Sequence, residues 1–312
     1  MIVERPAVAR DALLVWVLAL CVLGLFAGER ALFDQDEGRY GAIGLDMARS
    51  GDWVTPTLDG MPFLDKPPLI FWVQALLLHV LPPSPLVARA PTLLAGSLWV
   101  LFVFLFARRF GAGRAAAWTA AGIAMTSAAA VLGSRFGPTA DMPLAACVAA
   151  TLYAALAGVE RAVRTNDGPG IGASIGLGLA VGLGLLAKGP LVVAVAALVA
   201  IAWALSGVAP RAVLRTAFAP LAWFVALAVA APWYVLVEDA HPGWIRHFVA
   251  YEHFGRFSQG DHRSFNPVWF YVPIALFYMA PWTALAWAGP GTRFGGWLRP
   301  VFSFVARSPW SP

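Results

Sequence analysis

"DKPPLIFWVQALLLHVLPPSP", residues 65–85, decides the fold, because its apolar centre, 69–81, is either a membrane span or a helix lying on the membrane surface. The choice inverts the orientation of everything that follows. A bilayer core about 30 Å thick takes roughly 20 helical residues to cross. The centre has only thirteen and sits between Pro67-Pro68 and "PPSP", which predicts an interfacial or re-entrant helix. Charge tests this independently. If 69–81 does not cross and the N-terminus is cytoplasmic, then "RRFGAGR" (108–114), "ERAVRTND" (160–167), "APRAVLR" (209–215) and "TRFGGWLR" (292–299) all fall on the cytoplasmic side. If it crosses, all four basic loops lie outside, against the positive-inside rule.

The composition makes the membrane setting firm. The 312 residues are 60% hydrophobic and 12% charged, with 14 Trp and 20 Phe, against about 25% charged for an average soluble domain. No window of a hundred residues lacks a long apolar run, so no soluble domain can be separated. The net charge of +5 follows from Arg on cytoplasmic loops and implies membrane topology and no nucleic acid. Cys21 and Cys147 lie in apolar runs far apart and support neither a disulfide framework nor a thiolate metal site.

Length and hydropathy predict spans at about 12–28, 91–107, 115–133, 142–159, 171–187, 190–206 and 217–237, and an eighth at 267–288. The first is expected to be an anchor and no cleaved signal, since it runs straight into "GERALFDQDEGRY" without a small-residue cleavage pattern. The expected fold is an all-α polytopic bundle. Its core covers 1–288, with large outer loops at 29–90 and 238–266, and a short basic tail covers 289–312.

This orientation gathers 29–90, "SRFGPTAD" (134–141), "KGP" (188–190) and the loop 238–267 on one outer face. The stretch 34–69 alone holds ten of the chain's 39 Asp, Glu, Lys and Arg residues. Within it Tyr40, Ile43 and Met47 recur at helical spacing with Arg39, Asp46 and Arg49 on other faces, the pattern of a helix in the membrane surface. Asp34 and Glu37 stand three apart, as in a capping-box variant. Asp36 is not needed for a cap, and paired carboxylates at a water–membrane boundary suit proton abstraction or cation binding.

Asp65 and Lys66 form either a plain surface pair or a charge pair held rigid by Pro67 and Pro68, with Lys66 able to hold a phosphate. Asp141 or Thr139 can cap the helix that begins near Pro143. Lys188 is either a snorkelling lysine or part of an anion site. Four of the five histidines, His241, His247, His253 and His262, lie in the last outer loop without compact zinc spacing. One of them with Asp65 or Glu37 would make an open, catalytic-type metal site.

In order, "DEGRYGAIGLDMARSGDWVTP" (36–56), "DKPPLIFWVQAL" (65–76), "SRFGPTADMPL" (134–144), "LLAKGPL" (185–191), "APWYVLV" (231–237), "HPGWIRHFVAYEHFGRF" (241–257) and "NPVWFYVPIALFYMAPW" (266–282) resemble the ArnT-like (aminoarabinose transferase) branch of polyprenyl-phosphate-dependent membrane glycosyltransferases. These belong to the GT-C class, as do the protein mannosyltransferases. The resemblance covers residues 12–288. It implies a transmembrane bundle under a first periplasmic loop with membrane-parallel helices, in a bacterial inner membrane. It also implies transfer of a hexose or pentose from a polyprenyl-phosphate carrier to lipid A, another envelope glycan or a protein on the periplasmic side.

By the same resemblance Asp36, with Glu37 beside it, is the catalytic carboxylate. Lys66 holds the donor phosphate, and Arg39, Tyr40, Arg135, Asp141 and Lys188 complete the substrate-binding set. A divalent metal, Zn, Mg or Mn, would fall to Asp65, His253 and His262, although Asp65 stands where the family usually has Glu. Relatives continue into more spans and a periplasmic C-terminal domain, so a truncated chain is also expected, active or inactive. A transporter or channel is the competing class; it requires charge at mid-membrane depth and repeat symmetry between the halves, and no such symmetry is visible.

Overall fold

The computed structural model of the protein describes residues 5–33, 35–136, 139–255 and 267–284. Five of the described helices are long and apolar enough to span a membrane, or six if one bent pair counts as a single span. The first, α1 (Arg5–Gly24), starts and ends earlier than expected and leaves the helix through Phe26 at φ 59°. The surface elements α2 (Gln35–Ser50) and α3 (Leu69–Leu78) follow, separated by a hairpin of β1 (Thr57–Leu58) and β2 (Met61–Pro62). Its register, Thr57 opposite Pro62 and Leu58 opposite Met61, is closed by Asp59 and Gly60, both at positive φ. Asp-Gly is the pair that a two-residue hairpin turn of this hand favours.

Helix α3 has ten residues, about 15 Å at 1.5 Å per residue, half of what a span needs. Its apolar face packs instead on α2, through Ile43 and Met47 against Ile70, Phe71 and Ala75, each at most 1% exposed. Gly44 allows the close approach, since a Cβ there would lie 2.7 Å from the Gln74 Cβ.

The chain then enters the bundle as α4 (Pro85–Arg109), capped by the Ser84 hydroxyl, which accepts the Val87 N–H. The expected span at 115–133 is two helices, α5 (Arg114–Thr126) and α6 (Ala128–Arg135), bent by 48° at Ser127. There the Ser127 hydroxyl accepts the Ala130 N–H and starts the second helix. Two long spans, α7 (Asp141–Thr165) and α8 (Ile171–Lys188), match expectation. Residues 190–206 differ in length: α9 (Leu191–Leu205) has fifteen residues, about 22 Å, shorter than a standard span, yet it links the Lys188 end of the bundle to the Arg215 end. A surface helix α10 (Pro210–Ala217) precedes α11 (Pro220–Ala240), which carries the span expected at 217–237. Beyond it lie α12 (Trp244–His247), a π-helical stretch Phe248–Gly255 and, after Val268–Phe270, α13 (Tyr271–Tyr278). Of the span expected at 267–288, the described α-helical residues are those of α13, eight in all, and 282–284.

Helix polarity sorts the loops. At one end Arg114 pairs with Asp11 at 2.6 Å, Arg109 pairs with Glu160 at 2.7 Å, and Arg215 donates to the Asn166 carbonyl. Three of the four basic loops therefore share that end, and 292–299 lies outside the described residues. The opposite end carries 25–33, α2, α3, the end of α6 and the start of α7, the end of α8 and the end of α11.

Without a hydrophobic drive between helices in lipid, small residues set how closely they pack. Gly178 and Gly182, four apart on α8, face α11. A Cβ at either would sit 2.7 Å from a Val Cβ, that of Val225 or of Val229. Gly178→Leu is expected to destabilise the protein by about 1–3 kcal/mol through overpacking, read as a lowered melting temperature in detergent. An unchanged melting temperature would contradict this packing.

Candidate active site

The site is built outward from the first turn of α2. Glu37, fully buried, accepts from Arg89 at 3.1 and 3.0 Å, from Arg30 at 2.5 Å and from the Phe33 N–H at 2.9 Å. The bond to the Phe33 N–H reaches four residues back, one further than the N-cap bond of a capping box; Asp34, the expected cap, lies outside the described residues. Burial opposes the Glu37 charge, yet the Arg89 guanidinium, the Phe33 N–H and Arg30 outweigh it and hold its pKa below the usual carboxylate range. A carboxylate so enclosed holds the turn in place and has no face left for a substrate.

Asp36, one residue earlier, is its opposite. It is half-exposed and pairs with Arg39 one turn on, whose guanidinium lies 5.7 Å from the centre of the Phe63 ring. Tyr40 is buried against Phe71 and Phe63, with ring centroids at 5.3 and 6.1 Å. Burial raises its pKa, and the charges of Asp36, Asp141 and Asp65 add to the rise while Arg39 opposes it. Tyr40 therefore stays a neutral phenol, with the charges of carboxylates on α2, on the 65–66 loop and at the start of α7 adding to that effect.

The loop carrying Asp65 and Lys66 is held by indoles. Trp72, Trp233 and Trp244 donate to the carbonyls of Trp53, Val54 and Leu64 at 2.8, 2.9 and 3.0 Å. Trp233 and Trp244 stand edge to face at 5.2 Å. Asp52 shapes the same loop by accepting from the N–H groups of Val54 and Thr55, and the Thr55 hydroxyl meets His241 Nε2 at 3.0 Å. Lys66 Nζ donates to its neighbour's carbonyl, Asp65 O, at 2.9 Å, and the Asp65 residue is exposed.

Two bundle ends complete the wall. Lys188, at the end of α8, pairs with Asp141 in the first turn of α7, and the Thr139 hydroxyl donates to the same carboxylate. The cap expected of Asp141 or Thr139 is absent; Ala140 holds that position, because the carboxylate is turned toward Lys188. Arg135 ends α6, and its carbonyl accepts from Arg30, which also lies over the Phe136 ring at 4.8 Å.

The structure thus brings Asp36, Glu37, Arg39, Tyr40, Asp65, Lys66, Arg135, Asp141 and Lys188 to one end of the bundle. His253 lies in the π-helical stretch, but its side chain, and the whole of His262, fall outside the described residues. Among the described residues no three His, Cys, Asp or Glu side chains assemble as metal ligands. Arg89 and the three indoles went unpredicted. A lone Arg in "VARAP", at the head of an apolar run, was the available signal, since charge at a membrane boundary demands a partner.

An apolar bundle whose polar chamber sits at one end, roofed by surface helices of the first loop, is the GT-C type of membrane fold. The chain belongs to the dolichyl-phosphate-mannose-protein mannosyltransferase family, whose model matches residues 65–236, and within it to the ArnT-like branch. It is similar to an undecaprenyl phosphate-alpha-4-amino-4-deoxy-L-arabinose arabinosyl transferase of Edwardsiella ictaluri, 30% identical over 271 residues, covering 86% of this chain and 47% of that protein. The crystal structure of ArnT from Cupriavidus metallidurans bound to undecaprenyl phosphate superposes with a TM-score of 0.72 at 27% identity, over 96% of this chain and 54% of that one. The Saccharomyces cerevisiae protein O-mannosyltransferase Pmt1-Pmt2 complex bound to the sugar donor shares the fold, with a TM-score of 0.51 at 17% identity over 78% and 35%. The chain spans about half the length of the curated relatives it matches.

Because the folded pKa of Glu37 is depressed, its contribution to stability is complete above the ordinary Glu value of 4.5. It is lost as pH falls below that value and through the folded one. Melting temperatures in detergent from about pH 6 down to about pH 3 should therefore fall more steeply for the wild type than for Glu37→Gln. Parallel curves would contradict the ionised, enclosed Glu37.

Proposed function

We propose that the protein acts as a glycosyltransferase of a bacterial inner membrane, moving a sugar from a polyprenyl-phosphate carrier to an acceptor on the periplasmic side. The reading rests on one observation: the carboxylates Asp36, Asp65 and Asp141 lie at the same bundle end as the cations Lys66, Arg135 and Lys188, with Lys188 and Asp141 already paired. The relatives' names supply the donor class, and the acceptor is lipid A, another envelope glycan or a protein.

In the reaction the bond from the sugar's anomeric carbon to the phosphate oxygen breaks, and the phosphate leaves with the electron pair. A bond forms from the acceptor oxygen or nitrogen to that carbon. Asp36 takes the acceptor's proton, a role open to a carboxylate with exposed oxygens. Asp36 is half-exposed and paired with Arg39, so its oxygens are within reach of an acceptor. Phosphate is a good leaving group, so the larger demand is for positive charge on its oxygens. Lys66 and Arg135 meet that demand, and Lys188 joins them by turning from Asp141. Tyr40, a phenol at working pH, donates a hydrogen bond and removes no proton.

The described spans carry their charges at their ends and none at mid-depth, which disfavours a transport pathway. Asp36→Asn should lower sugar transfer by at least about 100-fold while leaving undecaprenyl phosphate binding intact. Transfer is measured in membranes of cells expressing each variant, and wild-type activity in Asp36→Asn would overturn the assignment.

A further inference from the structure

Five donors of one buried guanidinium are all in use, and their targets lie away from the groups assigned to substrate. Arg89, on α4 and 1% exposed, donates through Nε to Glu37 Oε1 at 3.1 Å and through Nη2 to Glu37 Oε2 at 3.0 Å. Its remaining N–H groups reach the carbonyls of Ala27 at 2.5 Å, Arg30 at 2.8 Å and Ala31 at 3.0 Å. An arginine has five such donors, and none is left over. The group cannot touch a substrate. What it does is fasten the bundle to the turn 27–31 and to the residue next to Asp36.

Asp65 and Lys66 are fastened by different means. The Trp72, Trp233 and Trp244 indoles hold the carbonyls of 53, 54 and 64, two of them from α11 and α12, with Leu64 two residues from Lys66. The two sets of hydrogen bonds have no residue in common. They meet where the Tyr40 and Phe71 rings lie against Phe63, and where the Gln74 amide on α3 donates to the Ala88 carbonyl on α4 at 2.7 Å.

We propose that the site is held by two independent frames that set two different kinetic constants. Glu37 and Arg89 are positioning residues for Asp36 and govern the rate of the bound complex. The indoles, above all Trp244, are positioning residues for Lys66 and govern the hold on the donor's phosphate. The inference rests on the reading of Asp36 and Lys66 given under Proposed function, and it adds the machinery that places them.

The experiment pairs Glu37→Gln with Trp244→Phe in the full chain, after each variant is shown to be folded by its melting curve. Glu37→Gln keeps the shape and loses the charge that locks the fork. It should lower the transfer rate at saturating donor by at least about tenfold and leave the donor KM within about twofold. Trp244→Phe keeps the ring stack and loses only the bond to Leu64. It should raise the donor KM, and the dissociation constant for undecaprenyl phosphate, by at least about fivefold, with the saturated rate within about twofold. If Glu37→Gln does not fold, Arg89→Lys carries the same prediction, since three ammonium donors cannot replace a five-donor fork.

A loss of rate and of affinity together in both variants would overturn the two frames, because a general loosening of the fold moves both constants at once. Undecaprenyl phosphate binding separates this inference from the proposed activity. If the wild type binds the lipid but transfers no sugar, the activity fails. The frames still stand or fall on whether Trp244→Phe weakens binding while Glu37→Gln does not.

Discussion

Everything at the polar end of this molecule depends on how the buried Arg89 guanidinium is matched. Taking a guanidinium and a carboxylate out of water costs several kcal/mol per ion, and the pair recovers it only with good geometry and with its other hydrogen bonds satisfied. Here both conditions hold: two bonds join Arg89 to Glu37, and three carbonyls of the 27–31 turn take the remaining donors. Removing one partner of such a pair typically costs about 3–5 kcal/mol. The consequence is geometric as much as energetic, because the turn that leaves α1, the first turn of α2 and the start of α4 become one unit.

The shortness of α3 is the second constraint, and it works with the first. A ten-residue helix cannot cross, so the chain between α1 and α4 must stay on one face, where its apolar residues are covered by α2. Hydrocarbon is therefore withheld from a stretch with ten charged residues. At the other end the basic loops are tied down by pairs such as Arg109 with Glu160 and Arg114 with Asp11. Both ends use charge to fasten loops, and the outer one also carries the half-exposed Asp36–Arg39 pair.

Much of this was visible in the residue order. Length and loop charge placed 69–81 at the surface, and the same charge rule gathered 29–90, 134–141, 188–190 and 238–267 at one end. What escaped was long-range or geometric. Arg89 fell in the expected outer loop because the expected span began at Pro91, and nothing local shows that its partner is 52 positions away. Asp141 has every sequence mark of a cap, but Lys188, 47 residues on, outbids the backbone for its oxygens. The bend at Ser127 and the short α9 were hidden by unbroken hydrophobicity, which fixes burial in lipid but not where a helix stops. Glu37 was grouped with Asp36 as a reacting carboxylate since the two adjacent acids share a motif. On a helix they point about 100° apart, and burial separates their roles.

The most direct test of the account is where a polyprenyl phosphate sits. A structure of this protein determined with undecaprenyl phosphate should place the phosphorus within ion-pair reach of Lys66, beside Asp36 and under the α2–α3 roof. A phosphate held instead by Arg109, Arg114 or Arg215 at the opposite end of the bundle would contradict it.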